Sequence, residues 1–398
     1  ASEITISIAQ KFLNRIRSGI SILEENEDAL NAFKIANRAM LIQQIHDSFV
    51  TKNAESINFS DDDDIIDKKC GQYKSDEKKG SWRPFQLAFI LINIESIFND
   101  QSSERDIVDL IWFPTGGGKT EAYLGLSAFT ILLRRIRNPK NIGCTILMRY
   151  TLRLLTSDQF SRLTGLVLAL EKIRKEKYLE IDLGDDEISA GLWVGNSLTF
   201  NKRQDAVDSK NKGNPPRAGI EKCPSCGTNI EDLDERENNY VTIKIYCGNE
   251  KCEWHRSNKQ AFPIYSIDED VYEKCPTIII GTVDKFAQIS WHDLDNSIKN
   301  RRILPGNLFG FEKEWDPPEL IIQDELHLIS SELGSMFGAF EIVIDFLCST
   351  KKKVKVIAST ATIKDYQSQC KTLFNRESMA FPVDVLNFGD SYFAYPDN

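Results

Sequence analysis

Residues 115–120, Thr-Gly-Gly-Gly-Lys-Thr, are of the types that hold phosphate. Backbone N–H groups at the start of a helix point at an anion. Gly116, Gly117 and Gly118 allow the close approach and positive φ that such a cradle needs. Lys119 would reach the β- and γ-phosphates of ATP, and the Thr120 hydroxyl would ligate Mg2+. Pro114 and Thr115 shape the mouth of the loop. The common pattern, G-x-x-x-x-G-K-[ST], asks for glycine at position 113, where this chain has Phe113. A second group of chemically active residues lies in KCPSCGTN (222–229) and YCGNEKCEWH (246–255). Their C-x2-C and C-x4-C spacings suit the two knuckles of one tetrahedral Zn2+ site. The ligands would be Cys223, Cys226, Cys247 and Cys252, with His255 as an alternative to Cys252. A site with four protein ligands has no open position for chemistry, so its role would be structural.

Phe113 narrows the choice. FPTGGGKT resembles the phosphate loop of superfamily 1 and 2 helicases, which read P-T-G-x-G-K-T and tolerate a non-glycine at that point. This resemblance demands further motifs in a fixed order, and each is present. LIIQDELHLI (320–329) ends an apolar run in an acidic pair. Asp324 would hold Mg2+ through water, and Glu325 would orient and deprotonate the attacking water. His327 stands at the histidine of a DExH box, where it would sense the γ-phosphate. ASTAT (358–362) supplies Ser359, Thr360 and Thr362, whose hydroxyls would couple hydrolysis to lobe movement. Upstream, in SWRPFQLAFI (81–90), Gln86 would read adenine with two hydrogen bonds. MRYTLRLLTSDQF (148–160) and GTVDKFA (281–287) stand where helicases grip a nucleic-acid backbone. The residues expected to do so are Arg149, Thr151, Arg153, Gln159, Thr282 and Lys285. Such phosphate contacts hold register without reading sequence. Taken singly, an acidic pair at a strand end or an arginine on a loop is ordinary surface; their shared order carries the weight.

The chain thus resembles the first RecA-like lobe of a superfamily 2 DExH helicase. WFPTGGGKTEAYLGL, GTVDKFAQ, DELHLISSELGSMFGAFE, GDSYFA and NAFKIANRAM make it similar to the large helicase component of DISARM anti-phage systems. The resemblance covers most of the chain. It implies ATP-driven work on nucleic acid, with phage DNA favoured over RNA, alongside a partner subunit in bacteria or archaea.

These residues need a scaffold, and the pattern supplies an α/β one. Apolar runs at 107–113, 141–149, 188–194, 276–282, 318–324 and 354–360 read as buried strands. Helical stretches at 119–137, 157–178, 283–293 and 333–348 lie between most of them. Such alternation predicts a RecA-like P-loop NTPase fold, a parallel sheet wrapped by helices. Residues 1–80 read as an N-terminal helical region followed by a polar linker, whose DDDD at 61–64 is a solvated run. The lobe would occupy 81–199 and 263–398, with 200–262 as a zinc-binding insertion and the last residues leading towards a second lobe. The insertion has few hydrophobes and would need its metal to fold. Cys70, Cys144, Cys275, Cys348 and Cys370 are scattered, and Cys144 and Cys348 read as core.

The 398 residues suffice for two or three domains, and 41% hydrophobic with 27% charged residues is an ordinary globular balance. A net charge of −10 argues against coating nucleic acid non-specifically, while leaving room for a local basic groove. Nine cysteines in so long a chain do not make a disulfide scaffold. No apolar run approaches the roughly 18 residues of a membrane span, and ASEITISIAQKFLNRIRSG lacks a signal-peptide core. The expected setting is the cytoplasm, away from membranes. Only 36 residues follow Thr362, too few for a second RecA-like lobe. The expectation is a lobe completed by further polypeptide or a partner, binding ATP weakly and hydrolysing it slowly by itself. A nucleotide-gated scaffold is the competing reading. Glu325 favours a motor, because a pure binder has no use for a water-orienting base.

Overall fold

The computed structural model describes residues 2–51, 81–113, 117–151, 153–196, 198–214, 217–237, 240–287, 305–310, 315–329, 331–360 and 365–383. Cys70, the DDDD run, positions 288–293 of one expected helix and the GDSYFA segment fall outside them. Three helices come first: α1 (Ser2–Glu25), α2 (Glu27–Thr51) and α3 (Pro84–Phe98). Strands and helices then alternate as β1 (Ile107–Trp112), α4 (Lys119–Arg137), β2 (Ile146–Tyr150), α5 (Arg153–Glu176) and β3 (Ala190–Trp193). The inserted stretch holds α6 (Arg203–Asn211) and the hairpin β4 (Ile230–Glu237) and β5 (Tyr240–Cys247). The chain returns through β6 (Ile264–Tyr265), α7 (Asp268–Lys274), β7 (Ile278–Thr282) and α8 (Val283–Ala287). It continues through β8 (Leu320–Gln323), α9 (Ser331–Cys348), β9 (Lys355–Thr360), α10 (Tyr366–Phe374) and β10 (Glu377–Phe381).

Eight strands form one sheet in the order β10-β1-β9-β8-β2-β7-β3-β6. Every neighbouring pair runs parallel. Parallel strands are covered on both faces, which is why β2, β3, β7, β8 and β9 are buried along their whole length. Helices α1 to α5 pack on one face and α7 to α10 on the other, giving two cores separated by the sheet. The strand expected over 141–149 begins only at Ile146. Asn138 and Pro139 stop α4, and the Arg134 guanidinium then holds the turned chain by its Asn141 carbonyl at 3.1 Å. Strands β6 and β10 are short edge strands that the apolar pattern did not mark.

The first two helices share the core of the α3–α5 face. A buried fork also pins α1 to the sheet: Arg15 donates to both Asp109 oxygens at 2.6 and 2.7 Å, and to Glu104 at 2.7 Å. Lys355 on β9 donates to the same Asp109 at 2.6 Å. Burial alone would raise the Asp109 carboxyl, but Lys355 and then Arg15 hold it below its ordinary value. Burial pushes Lys355 down to about 8 against the pull of Asp109. Among the described residues, no helix is long and apolar enough to cross a membrane.

Candidate nucleotide site and cysteine cluster

The sheet order places the carboxyl ends of β1, β9 and β8 side by side. Ligands of open α/β sheets collect at that edge. From β1, Phe113 leads into the phosphate loop, of which Pro114, Thr115 and Gly116 lie outside the described residues. Phe113 stacks on Phe85 of α3, with ring centroids 3.9 Å apart and planes 12° from parallel. An aromatic clasp therefore anchors the loop at the point where other phosphate loops carry glycine. Gly118 caps α4 at φ 90, a left-handed conformation that favours glycine, and lies close against Gln86 Nε2. Lys119 is buried, and its Nζ donates to the carbonyls of Phe113 at 2.8 Å and Thr360 at 3.4 Å.

Gln86 is engaged within the protein. Its Nε2 donates to the Gly118 carbonyl at 2.8 Å, and its Oε1 accepts from the Arg83 N–H at 2.8 Å. Both ends of the amide are thus engaged inside the protein. The side chain caps α3 behind Pro84 and braces the phosphate loop instead of presenting two free groups to adenine. Arg83 adds a second brace, donating to the Gly117 carbonyl at 2.6 Å.

The acidic pair closes the other side. Asp324 Oδ1 accepts from the Glu325 N–H at 2.9 Å and from the Ser359 hydroxyl. Asp324 Oδ2 accepts from the Tyr123 hydroxyl at 2.8 Å. That hydroxyl also lies 3.1 Å from Thr120 Oγ1 and 3.4 Å from the Tyr150 hydroxyl. Thr120, expected to ligate Mg2+, and Asp324, expected to hold it through water, therefore meet on one tyrosine oxygen. Two hard oxygen donors on one edge fit a small divalent cation. His327 Nδ1 sits 3.3 Å from Glu325 Oε2 and 3.3 Å from Thr360 Oγ1, bringing the acidic motif and the hydroxyl motif together. Thr362 lies outside the described residues. Burial first, and the Asp324 charge second, push the Glu325 carboxyl above its ordinary value against Lys119 and His327. The same two causes, in that order, raise Tyr123 and Tyr150, which stay protonated donors.

The sequence reading missed Tyr123 and Tyr150, and a signal was present for each. Tyr123 stands three residues after Thr120, on the same side of the helix. Tyr150 is the residue after Arg149, and strand pleating sends the two to opposite faces.

The cysteine cluster comes together as expected. The sulfurs of Cys223, Cys226, Cys247 and Cys252 all lie within 4.8 Å of one another. Cys223 to Cys252 is 4.0 Å and Cys226 to Cys247 is 3.4 Å. Thiolates about 2.3 Å from a tetrahedral Zn2+ would be about 3.8 Å apart, so the set fits that ion. Gly227, at φ +76, closes the first knuckle by donating to the Cys223 carbonyl at 2.8 Å. His255 is not a fourth ligand: its Nδ1 is 2.8 Å from Ser257 Oγ, and the sulfur set is complete without it. The knuckles rest on α2 and α5, where Gly227 faces Val50 and Pro224 faces Gly165.

No family model matches the sequence. Over its whole length, however, the chain is 37% identical to "DISARM protein DrmA" of Bacillus paralicheniformis across 449 aligned positions. The chain is a relative of DrmA. It spans 38% of that protein's length. Among solved structures it is similar to DUF1998 helicase MrfA, at 14% identity over 79% of this chain and 32% of that one, with a TM-score of 0.40. DEAD-box helicase Mss116 bound to ssRNA and UDP-BeF is similar at 14% identity over 75% of this chain and 39% of that one, with a TM-score of 0.39. The helicase Lhr of Mycobacterium smegmatis, bound to ssDNA and AMP-PNP, gives 14% identity over 75% and 25%, with a TM-score of 0.40. The sheet of this DrmA relative is parallel and wrapped by helices on both faces.

In the DrmA relative, two residues expected to grip a polymer do not present their charges. Arg149 is 0% exposed. Its guanidinium pairs with Glu341 of α9, at 3.1 Å for the Nη2 bond, and lies 5.0 Å from the Phe337 ring. The pleat of a central strand turns it into the core, where a charge must be paired. Lys285 is 3% exposed, and its Nζ donates to Asp268 Oδ2 at 2.6 Å and Asn201 Oδ1 at 3.4 Å. Thr282 is buried. Thr282 Oγ1, Thr151 Oγ1 and Gln159 Oε1 are buried atoms with no hydrogen-bond partner among the described residues. Arg153 opens α5, and its side chain lies outside the description.

Proposed function

We propose that the chain is the ATP-binding lobe of a nucleic-acid-dependent motor, a helicase or translocase of bacterial phage defence. The single observation behind this reading is the bonded edge of β1, β9 and β8. There Lys119 reaches Thr360, Ser359 reaches Asp324, and Thr360 reaches His327 beside Glu325. Kinship with a DISARM protein supports the defence role, and DNA as the polymer and the cytoplasm as the setting are part of this proposal. Bound ATP supplies the γ-phosphoryl group, and Mg2+ neutralises its charge. Lys119 leaves its carbonyl partners for the phosphates. Thr120 would hold the ion directly and Asp324 through water. Glu325 orients a water and takes its proton, a task suited to a carboxyl raised towards neutral pH. His327 and Thr360 report on the γ-phosphate, and Ser359 passes changes at Asp324 into β9. Thr151, Arg153, Gln159 and Thr282 line the track for the polymer. Residues 200–262 act as an accessory insertion whose four cysteines hold a structural Zn2+. The lobe works with a second RecA-like lobe or a partner subunit that supplies the arginine finger, worth about 10³–10⁵ in rate where it is known.

The test is ATP hydrolysis with and without single- and double-stranded DNA and RNA, run beside Glu325→Gln. Stimulation by one polymer that Glu325→Gln abolishes supports the motor and names its track. Unchanged partner or polymer binding in Glu325→Gln with no hydrolysis in either chain points to a nucleotide-gated scaffold. Brisk turnover by this chain alone overturns the need for a second lobe.

A further inference from the structure

The structure assigns Tyr123 as the residue that positions the Mg2+ ligands of the nucleotide site, an inference that rests on the reading just proposed. The Tyr123 hydroxyl is the meeting point of two elements that are far apart in sequence. It touches Thr120 Oγ1 at 3.1 Å in the first turn of α4 and Asp324 Oδ2 at 2.8 Å beyond the end of β8. A phenol has one proton to give. An ionised carboxylate only accepts, so that proton goes to Asp324. Thr120 must then donate to Tyr123, and so must Tyr150 at 3.4 Å. The direction of the Thr120 bond matters. With its proton spent on Tyr123, the threonine oxygen turns its lone pairs outward, as a metal ligand must. The same hydroxyl fixes the carboxylate plane of Asp324 from one side, while Ser359 and the Glu325 N–H fix Oδ1 from the other.

Packing alone does not explain a tyrosine here. The ring is fully buried among apolar neighbours, where phenylalanine would fill the same volume. A buried hydroxyl is costly unless it is bonded, and this one is bonded on all sides by groups of the nucleotide edge. Tyr123 is buried and acts through Thr120 and Asp324, so it is a positioning residue and not a catalytic one.

The experiment uses Tyr123→Phe in the whole chain, with a fluorescent ATP analogue titrated in EDTA and at a series of free Mg2+ concentrations. The expected result is unchanged affinity in EDTA, with the Mg2+ needed for half-maximal tightening raised about 10–100-fold, the usual effect of losing an outer partner of a metal ligand. Tyr150→Phe, which leaves the Tyr123–Asp324 bond in place, shifts that midpoint less. Lys119→Ala lowers affinity with or without Mg2+, which separates loss of the nucleotide from loss of the ion. Identical Mg2+ curves for wild type and Tyr123→Phe overturn the inference and leave the functional reading intact. So does a Tyr123→Phe chain that fails to fold, because the hydroxyl would then serve the fold. A wild-type chain that binds no nucleotide at any Mg2+ concentration overturns both.

Discussion

The nucleotide edge and the cysteine insertion organise their polar groups by different means. At the edge, three parallel strands and two helix starts deliver each side chain, and hydrogen bonds between oxygens set the final angles. In the insertion, a two-stranded hairpin and a pair of turns bring four sulfurs together, and Cys223, Cys247, Cys252 and Trp254 join the core of the α1–α5 face. On the proposed reading, the first region is held by the fold and would need its ligands for chemistry, whereas the second would need its ligand for the local fold. Removing a bound group should therefore do opposite things in the two places.

The largest expected effect tests that contrast directly. Stripping Zn2+, or replacing both Cys223 and Cys252 with serine, should unfold residues 222–255, since structural zinc binding in small knuckles contributes on the order of 10 kcal/mol. Native mass spectrometry should show one Zn2+ per wild-type chain. Hydrogen exchange should show protection lost over the hairpin and weakened in α2 and α5, on which the knuckles rest. Knuckles that stay protected without metal would erase the contrast. At the edge, Glu325→Gln should lower polymer-stimulated turnover by about 10²–10⁴ while leaving zinc content and hydrogen exchange as they were. A third variant separates stability from both regions. Asp109→Asn leaves Lys355 and Arg15 buried with half their counter-charge, and should lower unfolding free energy in a urea titration by about 3–5 kcal/mol. Nucleotide affinity of the folded fraction should not change.

The smallest effect concerns pH. The Glu325 carboxyl is raised in the folded chain, so the native state holds its proton more tightly than the unfolded state. Its contribution to stability is complete below the ordinary glutamate value of 4.5 and is lost as pH rises through the raised folded value. Melting curves of Glu325→Gln and wild type should therefore coincide near pH 4 and separate towards pH 7, with the variant slightly the more stable. The same raised carboxyl should place the acid limb of hydrolysis above 4.5. Loss of stability in Glu325→Gln at neutral pH would contradict the burial argument.

Much of this architecture was legible in the residues. Continuous apolar runs gave six of the strands because parallel strands buried on both faces have no polar side to show. Gly118, Lys119, Asp324, Ser359 and His327 come together at the strand ends because a parallel sheet carries every carboxyl terminus to one edge. The burial and partners that the residues did not reveal share one cause. Arg149 looked like a surface charge because its counter-ion, Glu341, lies 192 residues away. Lys285 was read the same way, although Asp268 covers it. Gln86 was read from the motif around it, and its true acceptor is the Gly118 carbonyl 32 residues on. A charge or amide in isolation carries no record of its partner, and burial is decided by that partner. Periodicity could still have rescued Arg149, since it alternates with the inward-facing Tyr150 on a strand covered on both sides.

The Arg15–Asp109–Lys355 fork has a bearing on how such lobes are inherited. A strand one in from the edge of the sheet has placed a carboxylate where a cation from an earlier helix, together with one from the neighbouring strand β9, neutralises it. A recombination event that carried the phosphate loop, the acidic pair and the β9 hydroxyls without α1 would transfer all the chemistry and leave Glu104 and Asp109 to share Lys355. Homologous lobes that lack this helix should thus have lost the acid at the Asp109 position as well, and the two should come and go together across a lineage.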